Sequence, residues 1–396
     1  MSSFLQQQVD FDKHNEQLKE LLDPDTRPYR AACSIVGSIT NYLLNPELNT
    51  RGWTFRDFFE SVDIQIAAEL EFQKWQRFNV ICDREMGLPS DGWRMNINFQ
   101  NCYDATWFGC PLHYHVGQVP DTVEILADEK TRLYDLPDPD PLSSGLMGRA
   151  LEFYEQMEDK CAGMEFEGRP VIPPDGLAGE GTDGPLDCAY KLRGAGNLLT
   201  DMLTDEDYYH DLMGYITRNI IRRIKAAKEF RWSRRPNSPD KGNYKSMGGF
   251  ADDAVALLSS QHYQEFVLPY HKMIFDEFAS PGGVWVHLCG DATRHFKFIV
   301  DNLNAIAFDT GFPVDFRWLR KELGPDIHIN GGPTVMLLKD GTPDAIDAEV
   351  RRIANSGVLE GGKFTFIAAN NLAPRTPVEN IAAFYESVKR WGVFDK

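Results

Sequence analysis

The residues best placed to do chemistry lie in the stretch VWVHLCGD, residues 284–291. His287 and Cys289 stand two apart, and on a strand side chains two apart point the same way. An imidazole and a thiolate so placed are half of a zinc site. A bare pair is also satisfied by a buried thiol beside a hydrogen-bonded histidine. A catalytic zinc takes three protein ligands and keeps a fourth position open for substrate.

Around this stretch the chain alternates strand and helix. Strands are expected at Tyr244–Gly249, Val284–Leu288, Ala305–Phe308, Ile327–Asn330 and Phe364–Ala368. Helices are expected at Ser260–Ala279, Ala292–Leu303, Phe316–Leu323, Pro343–Ser356 and Glu379–Arg390. Such alternation predicts a parallel sheet. Every strand ends in polar residues or glycine: Asp252 and Asp253; His287, Cys289 and Asp291; Asp309; Asn330, Gly331 and Gly332; Asn370 and Asn371. In a (β/α)8 barrel these ends converge on one mouth, where catalytic residues come from several strands. Asp252, Asp253, Asp309 and Asn370 are therefore candidate catalytic groups. Asn330, Gly331, Gly332 and Asn371 are candidate substrate contacts, and His287 and Cys289 candidate metal ligands. A doubly wound open sheet is the alternative, but no GxGxxG opens a helix after a strand.

Earlier parts of the chain read less regularly. A polar helix is expected over 4–22, stopped near Asp23, and a buried strand over Tyr29–Val36. An amphipathic helix follows over Thr54–Phe78, with Phe58, Val62, Ile66 and Leu70 on one face, then a strand at Phe78–Cys82. Residues 84–125 are rich in Gly, Pro, Asn and aromatics and read as an insertion of short strands and loops. Helices are expected at Leu146–Glu158, 186–203 and 205–230, and a strand at Pro170–Pro174. The expectation is one α/β domain over 1–396: a (β/α)8 TIM barrel with an N-terminal helical extension (1–26) and the insertion.

Composition narrows the function classes. The 396 residues carry a formal charge of −18, which argues against binding along a nucleic-acid backbone. Seven scattered cysteines without a CxxC fit reduced cytosolic thiols. No stretch of 18 apolar residues occurs, so no membrane association and a cytoplasmic location are expected. An exposed barrel face would suit a homodimer.

The segments HLCGD, AFDTG, INGGP and FIAANNLAPRTPVENIAAFYESVKRWG resemble the uroporphyrinogen decarboxylase superfamily, which also holds corrinoid-linked zinc methyltransferases. Weaker similarity runs through GFADDAVALLS and SQHYQEFVLPYHKMIF back to GPLDCAYKLRG, and the first third matches in outline only. The resemblance implies a (β/α)8 barrel. In the decarboxylase branch an RQAGR-like motif grips substrate carboxylates. The matching region, YRAACSIVGSITN (29–41), lacks it, with only Arg27 and Arg30 nearby. In the methyltransferase branch zinc is held by HxC and a later cysteine. His287 and Cys289 match the pair, but Asn370 stands where the cysteine would be, and an amide oxygen is a weak zinc ligand. Asp252, Asp253, Asp309 and Cys110 are candidates to complete the site. The resemblance implies methyl transfer between a methylated corrinoid (methylcobalamin or another methylcobamide) and a thiol or related acceptor. Zinc would activate the acceptor, and a corrinoid protein partner would present the donor, because this chain has no DxHxxG segment. Two other readings stay open. One is a metal-free decarboxylase in which Asp252 or Asp309 stabilises a protonated intermediate. The other is a ligand-binding barrel without catalysis.

Three further features are weighed against plainer roles. His113 and His115 have HxH metal spacing but sit in the insertion. GEGTDG (179–184) reads as a flexible loop, because no P-loop lysine follows. Trp93, Phe99, Trp107 and Phe108 read as local core or as a roof over a flat substrate.

Overall fold

The computed structural model describes residues 8–394, apart from 24, 27, 178 and 179. The start of the expected first helix (4–7), Arg27 and the first glycine of GEGTDG lie outside the described residues.

Six strands form one parallel sheet: β1 (Ala32–Ser34), β2 (Gly249–Ala251), β3 (Val284–Leu288), β4 (Ala305–Thr310), β5 (His328–Gly331) and β6 (Phe364–Ile367). The ladder runs β1–β6–β5–β4–β3–β2. From β2 onward each connection carries a helix: Leu268–Phe278, Thr293–Asn302, Phe316–Leu323 and Pro343–Ile353, with Val378–Trp391 after β6. This is the (β/α)8 architecture, with six staves as regular strands. Between the outer flanks of β1 and β2 the wall is irregular. There Asp83 takes both backbone groups of Cys33, its N–H donating to Cys33 O at 2.8 Å and its Oδ2 accepting from Cys33 N at 2.6 Å.

Alternation along the strands divides two environments. Phe250, Val286, Leu288, Phe308, Ile329, Phe364 and Phe366 are buried and face the helices. Phe296 stacks on Phe308 with centroids 4.3 Å apart, and Phe275 and Phe316 meet Phe250 and Phe364 edge-on. The intervening residues face the barrel interior and are partly solvated. Ala251, His287, Asp309, Asn330, Thr365 and Ala32 are in register around the sheet. Bulky branched side chains would fill such a layer. Here it is small or polar, so the interior stays open to water beside His287.

The expected elements from 284 onward match closely, while earlier ones shift. The strand expected at Tyr244–Gly249 begins only at Gly249, and β4 extends through Thr310, so Asp309 lies within the strand. The helix expected over 54–78 is two, Phe55–Glu60 and Val62–Asn79. Thr54 and Asp57 form a capping box on the first, and Ser61, extended at φ −130°, caps the second through Ile64 N. The strand expected at Phe78–Cys82 is absent: the helix runs through Asn79, and the Asp83 side chain supplies the bond a ladder would give. The helix over 186–203 breaks at Gly194, whose φ of +79° no longer continues a helix. No helix among the described residues is long and apolar enough to cross a membrane.

Candidate metal centre at the strand ends

The end of β3 delivers His287 and Cys289. The tight approach of the next strand end requires Gly311: a Cβ there would lie 2.4 Å from Gly290 N and 2.9 Å from the Cys289 Cα. His287 Nε2 lies 3.0 Å from Cys289 Sγ and 3.8 Å from Asp253 Oδ1. Asp253 Oδ1 also accepts the Cys289 N–H at 2.6 Å. Among the described residues, Asp253, His287 and Cys289 are the group of three His, Cys, Asp or Glu donors gathered closely enough for one ion, with ligand atoms all within 4.8 Å. Ligands of a tetrahedral zinc at bond lengths of about 2.0–2.3 Å stand roughly 3.5 Å apart. The observed 3.0 and 3.8 Å bracket that spacing, so these residues fit the ion.

Two neighbours orient the donors. Asp309 Oδ2 bonds His287 Nδ1 at 2.8 Å and thereby turns Nε2 toward Cys289 and Asp253, the carboxylate–histidine arrangement common behind metal-bound imidazoles. Its other oxygen, Oδ1, is buried with no hydrogen-bond partner among the described residues. Asn370 Nδ2 donates to Cys289 Sγ at 3.1 Å. The amide expected in place of a third soft ligand therefore touches the thiol through its nitrogen. Desolvation works against a charged His287, but the bonds to Asp309 and Cys289 outweigh it and push its pKa up to about 11. Cys289 is also the one cysteine of the seven that is not buried.

The other candidates separate. Asn330 is in register with Asp309 and faces the same interior. Asn371 is exposed, its N–H bonded to Asn370 Oδ1. Gly331 and Gly332, expected to contact substrate, are buried, and protein fills the space beside them. A Cβ would meet the Phe316 ring at 2.4 Å or Ile367 O at 2.1 Å, so the geometry gives them a packing role. Asp252, expected among the reacting groups, is fully buried behind Asp253. Its carboxylate accepts Leu186 N (3.0 Å) and Asp187 N (2.9 Å) and meets His271 Nε2 at 2.9 Å. Burial pushes Asp252 well above the usual carboxylate range and His271 down to about 3, toward a neutral pair. Asp291 is exposed on the rim, and the buried Cys110 thiol faces Lys191 O. His113 and His115 face each other in the insertion with ring centroids 4.5 Å apart. Asp104, buried and paired with Arg223, anchors the loop through Thr182 Oγ1 and Asp183 N, a role sequence reasoning missed. Trp93, Phe99, Trp107 and Phe108 are all buried, so the aromatic cluster is core.

Comparison with known proteins finds relatives over part or most of the chain. Residues 247–391 match the family model of uroporphyrinogen decarboxylase (URO-D). A methylated-thiol–coenzyme M methyltransferase of Methanosarcina mazei is 24% identical over 374 residues, covering 91% of this chain and 88% of that protein. A methylcobamide:CoM methyltransferase of the same organism is 25% identical over 136 residues, covering 34% of this chain and 38% of that protein. A uroporphyrinogen decarboxylase of Rhodococcus erythropolis is 30% identical over 143 residues, covering 35% and 39%. Among solved structures, a methyltransferase from Methanosarcina mazei superposes with a TM-score of 0.60 at 14% identity, covering 95% of this chain and 98% of that one, which is a likeness of fold. The chain is thus URO-D-like in its C-terminal part, and its similarity over nearly the whole length is to a methyltransferase.

Proposed function

We propose that this protein is a URO-D-like methyltransferase moving a methyl group between a corrinoid and a thiol or related acceptor. Asp253, His287 and Cys289 would hold zinc. Zinc, when bound, supplies the Lewis acidity that keeps a coordinated thiol as thiolate near neutral pH. Three protein donors leave the fourth position for the acceptor. Asp309 holds the His287 ring through Nδ1, so that Nε2 faces Cys289 and Asp253. Asn370 holds Cys289 and stands at the exposed lip, where substrate enters. Asn330 faces the same interior, and a polar, partly solvated layer suits a small polar acceptor. Electrons balance if the methyl leaves as a cation equivalent: the bond pair stays on the corrinoid and the thiolate pair makes the new bond. The donor would arrive on a separate corrinoid protein.

The observation that carries this reading is the convergence of a carboxylate, an imidazole and the one accessible thiol within 4.8 Å, at the mouth of a barrel whose near-full-length relative is a methyltransferase. Metal analysis of the purified chain tests it, with Cys289→Ser as control. One zinc per wild-type chain and none in the variant, with methylcobalamin-dependent methylation of a thiol by wild type alone, is expected. Wild-type protein without zinc would remove the mechanism. Carboxylate loss from a porphyrinogen, with no methyl transfer, would favour the decarboxylase reading instead.

A further inference from the structure

Asp253 is aimed at His287 and Cys289 from a segment that would have little to hold it by itself. β2 is three residues long, and the turn after it, Asp253–Leu257, is a single stretch of 3-10 helix. The helix Pro185–Arg193 has a matching deficit. Its N-cap is Gly184, with φ +98° and no side chain to satisfy the first N–H groups. Two aspartates solve both problems by exchange. The Asp252 carboxylate accepts Leu186 N and Asp187 N at the start of that helix. The Asp187 carboxylate accepts Asp253 N (2.8 Å) and Ala254 N (2.9 Å) at the start of the turn. Four backbone donors are thus satisfied by two side chains, each reaching across to the other's segment.

The clasp is backed on both sides. His271 Nε2 meets Asp252 Oδ2, and Tyr263 OH lies 3.2 Å from His271 Nδ1. A Cβ at Gly184 would lie 2.4 Å from Asp252, so the helix start is pressed directly onto the aspartate. The arrangement crowds carboxyl groups: burial, then the neighbouring Asp252 carboxyl, push Asp187 up to about 8. Apolar residues would join two segments without crowding acids. What the carboxylates add is direction, because they fix the backbone N–H groups of Asp253 and Ala254 and so the line along which the Asp253 side chain leaves.

We propose that Asp187 and Asp252 are positioning residues that set metal affinity by fixing the aim of Asp253, without touching the ion. The proposal rests on the zinc reading above. It is tested on the full-length chain with Asp187→Asn, and with Asp187→Ser, whose hydroxyl still accepts one N–H, should the first fail to fold. Asp253→Ala is run beside them. Zinc affinity is read by chelator competition, the ligand set by the absorption of the cobalt(II)-loaded protein, and metal-free stability by thermal melting. The expectation is zinc binding weakened about 10–100-fold in the Asp187 variants. Their cobalt spectra should change in the ligand-field bands and keep the thiolate charge-transfer band, with Asp253→Ala weaker still. Asp187 variants that bind zinc like wild type while Asp253→Ala is impaired would overturn the clasp and leave the site standing. Lower melting temperature with unchanged affinity and spectrum would reduce Asp187 to a structural residue and overturn it too. Zinc binding absent from wild type, or equal in wild type and Asp253→Ala, would sink both the clasp and the zinc reading.

Discussion

The chain before Gly249 and the chain after it divide the labour at the mouth. After Gly249, five successive strand ends place Asp253, His287, Cys289, Asp309, Asn330 and Asn370 around one opening. Before it, no side chain among the described residues joins the donor cluster, yet Asp187 holds Asp253 in place and Gly184 lets the helix start approach. One region supplies atoms for chemistry and the other restricts where those atoms point. The two should fail differently when altered: loss of a donor should remove the metal and spare the fold, while loss of a support should weaken both.

The largest effect is expected from His287→Ala. The ring is bonded to Asp309 at 2.8 Å and to Cys289 at 3.0 Å, so the metal-free variant should still fold but melt lower than wild type, while zinc binding is lost altogether. A thiol-labelling experiment sharpens the point. Cys289 is the one cysteine not buried, so native protein should alkylate there first, and zinc should protect it. Labelling spread over several cysteines, or no protection by zinc, would contradict the site.

Gly184→Ala probes the supporting region. The residue has φ +98°, and an added Cβ would lie 2.4 Å from Asp252 Cβ and 2.5 Å from Ala251 O. Backbone strain and overpacking together should cost about 3 kcal/mol or more. Melting temperature and zinc affinity should fall together. A stable Gly184→Ala protein with wild-type zinc affinity would dissolve the distinction between donor and support.

Legibility followed the same division. From β3 onward each strand sits between two parallel neighbours and under helices, so outward residues must be apolar and strand ends polar. The sequence carries that pattern, and β3 and the helix Phe316–Leu323 have the expected bounds. Asp253 was legible as a strand-end carboxylate. That it, rather than Asp252, faces His287 was not, because the choice depends on which neighbour is claimed as a cap by a helix far earlier in the chain. Asp187 itself lay hidden in an ordinary amphipathic helix: its role is set by a contact that no local spacing reveals. In the early region local caps at Thr54 and Ser61 overrode a continuous apolar period. Asp83 in turn met β1 through its side chain, where a strand was expected.

Asn370→Cys tests how far Asn370 differs in kind from the donors. Its amide nitrogen already lies 3.1 Å from Cys289 Sγ, so a thiol there would stand beside the cluster. Thiolate charge-transfer absorption of the cobalt(II) protein should rise toward twice the wild-type intensity, with zinc held about tenfold more tightly. An unchanged spectrum would mean that position 370 reaches the thiol but cannot reach the ion.

The smallest effect on the site concerns an ionisable group in the early region that has no part in the cluster. Glu69 is 8% exposed, on the helix Val62–Asn79, with Asn98 Nδ2 donating to Oε1 at 2.8 Å. Burial raises its pKa from 4.5 to about 7, against the opposing pull of the Asn98 bond. The folded state therefore favours the protonated form. The resulting stabilisation is complete below about pH 4.5 and is lost as pH rises through about 7, since the buried carboxylate is then forced to ionise. Glu69→Gln keeps the shape and removes the ionisation. Denaturant unfolding should find the variant close to wild type at pH 5. At pH 8 it should be more stable by on the order of 3 kcal/mol, because each tenfold change in proton affinity is worth about 1.4 kcal/mol. Its zinc affinity should not change at either pH. If affinity moved with Glu69, the early region would act on the site through more than the Asp187–Asp252 contact, and the boundary between donor and support at Gly249 would have to be redrawn.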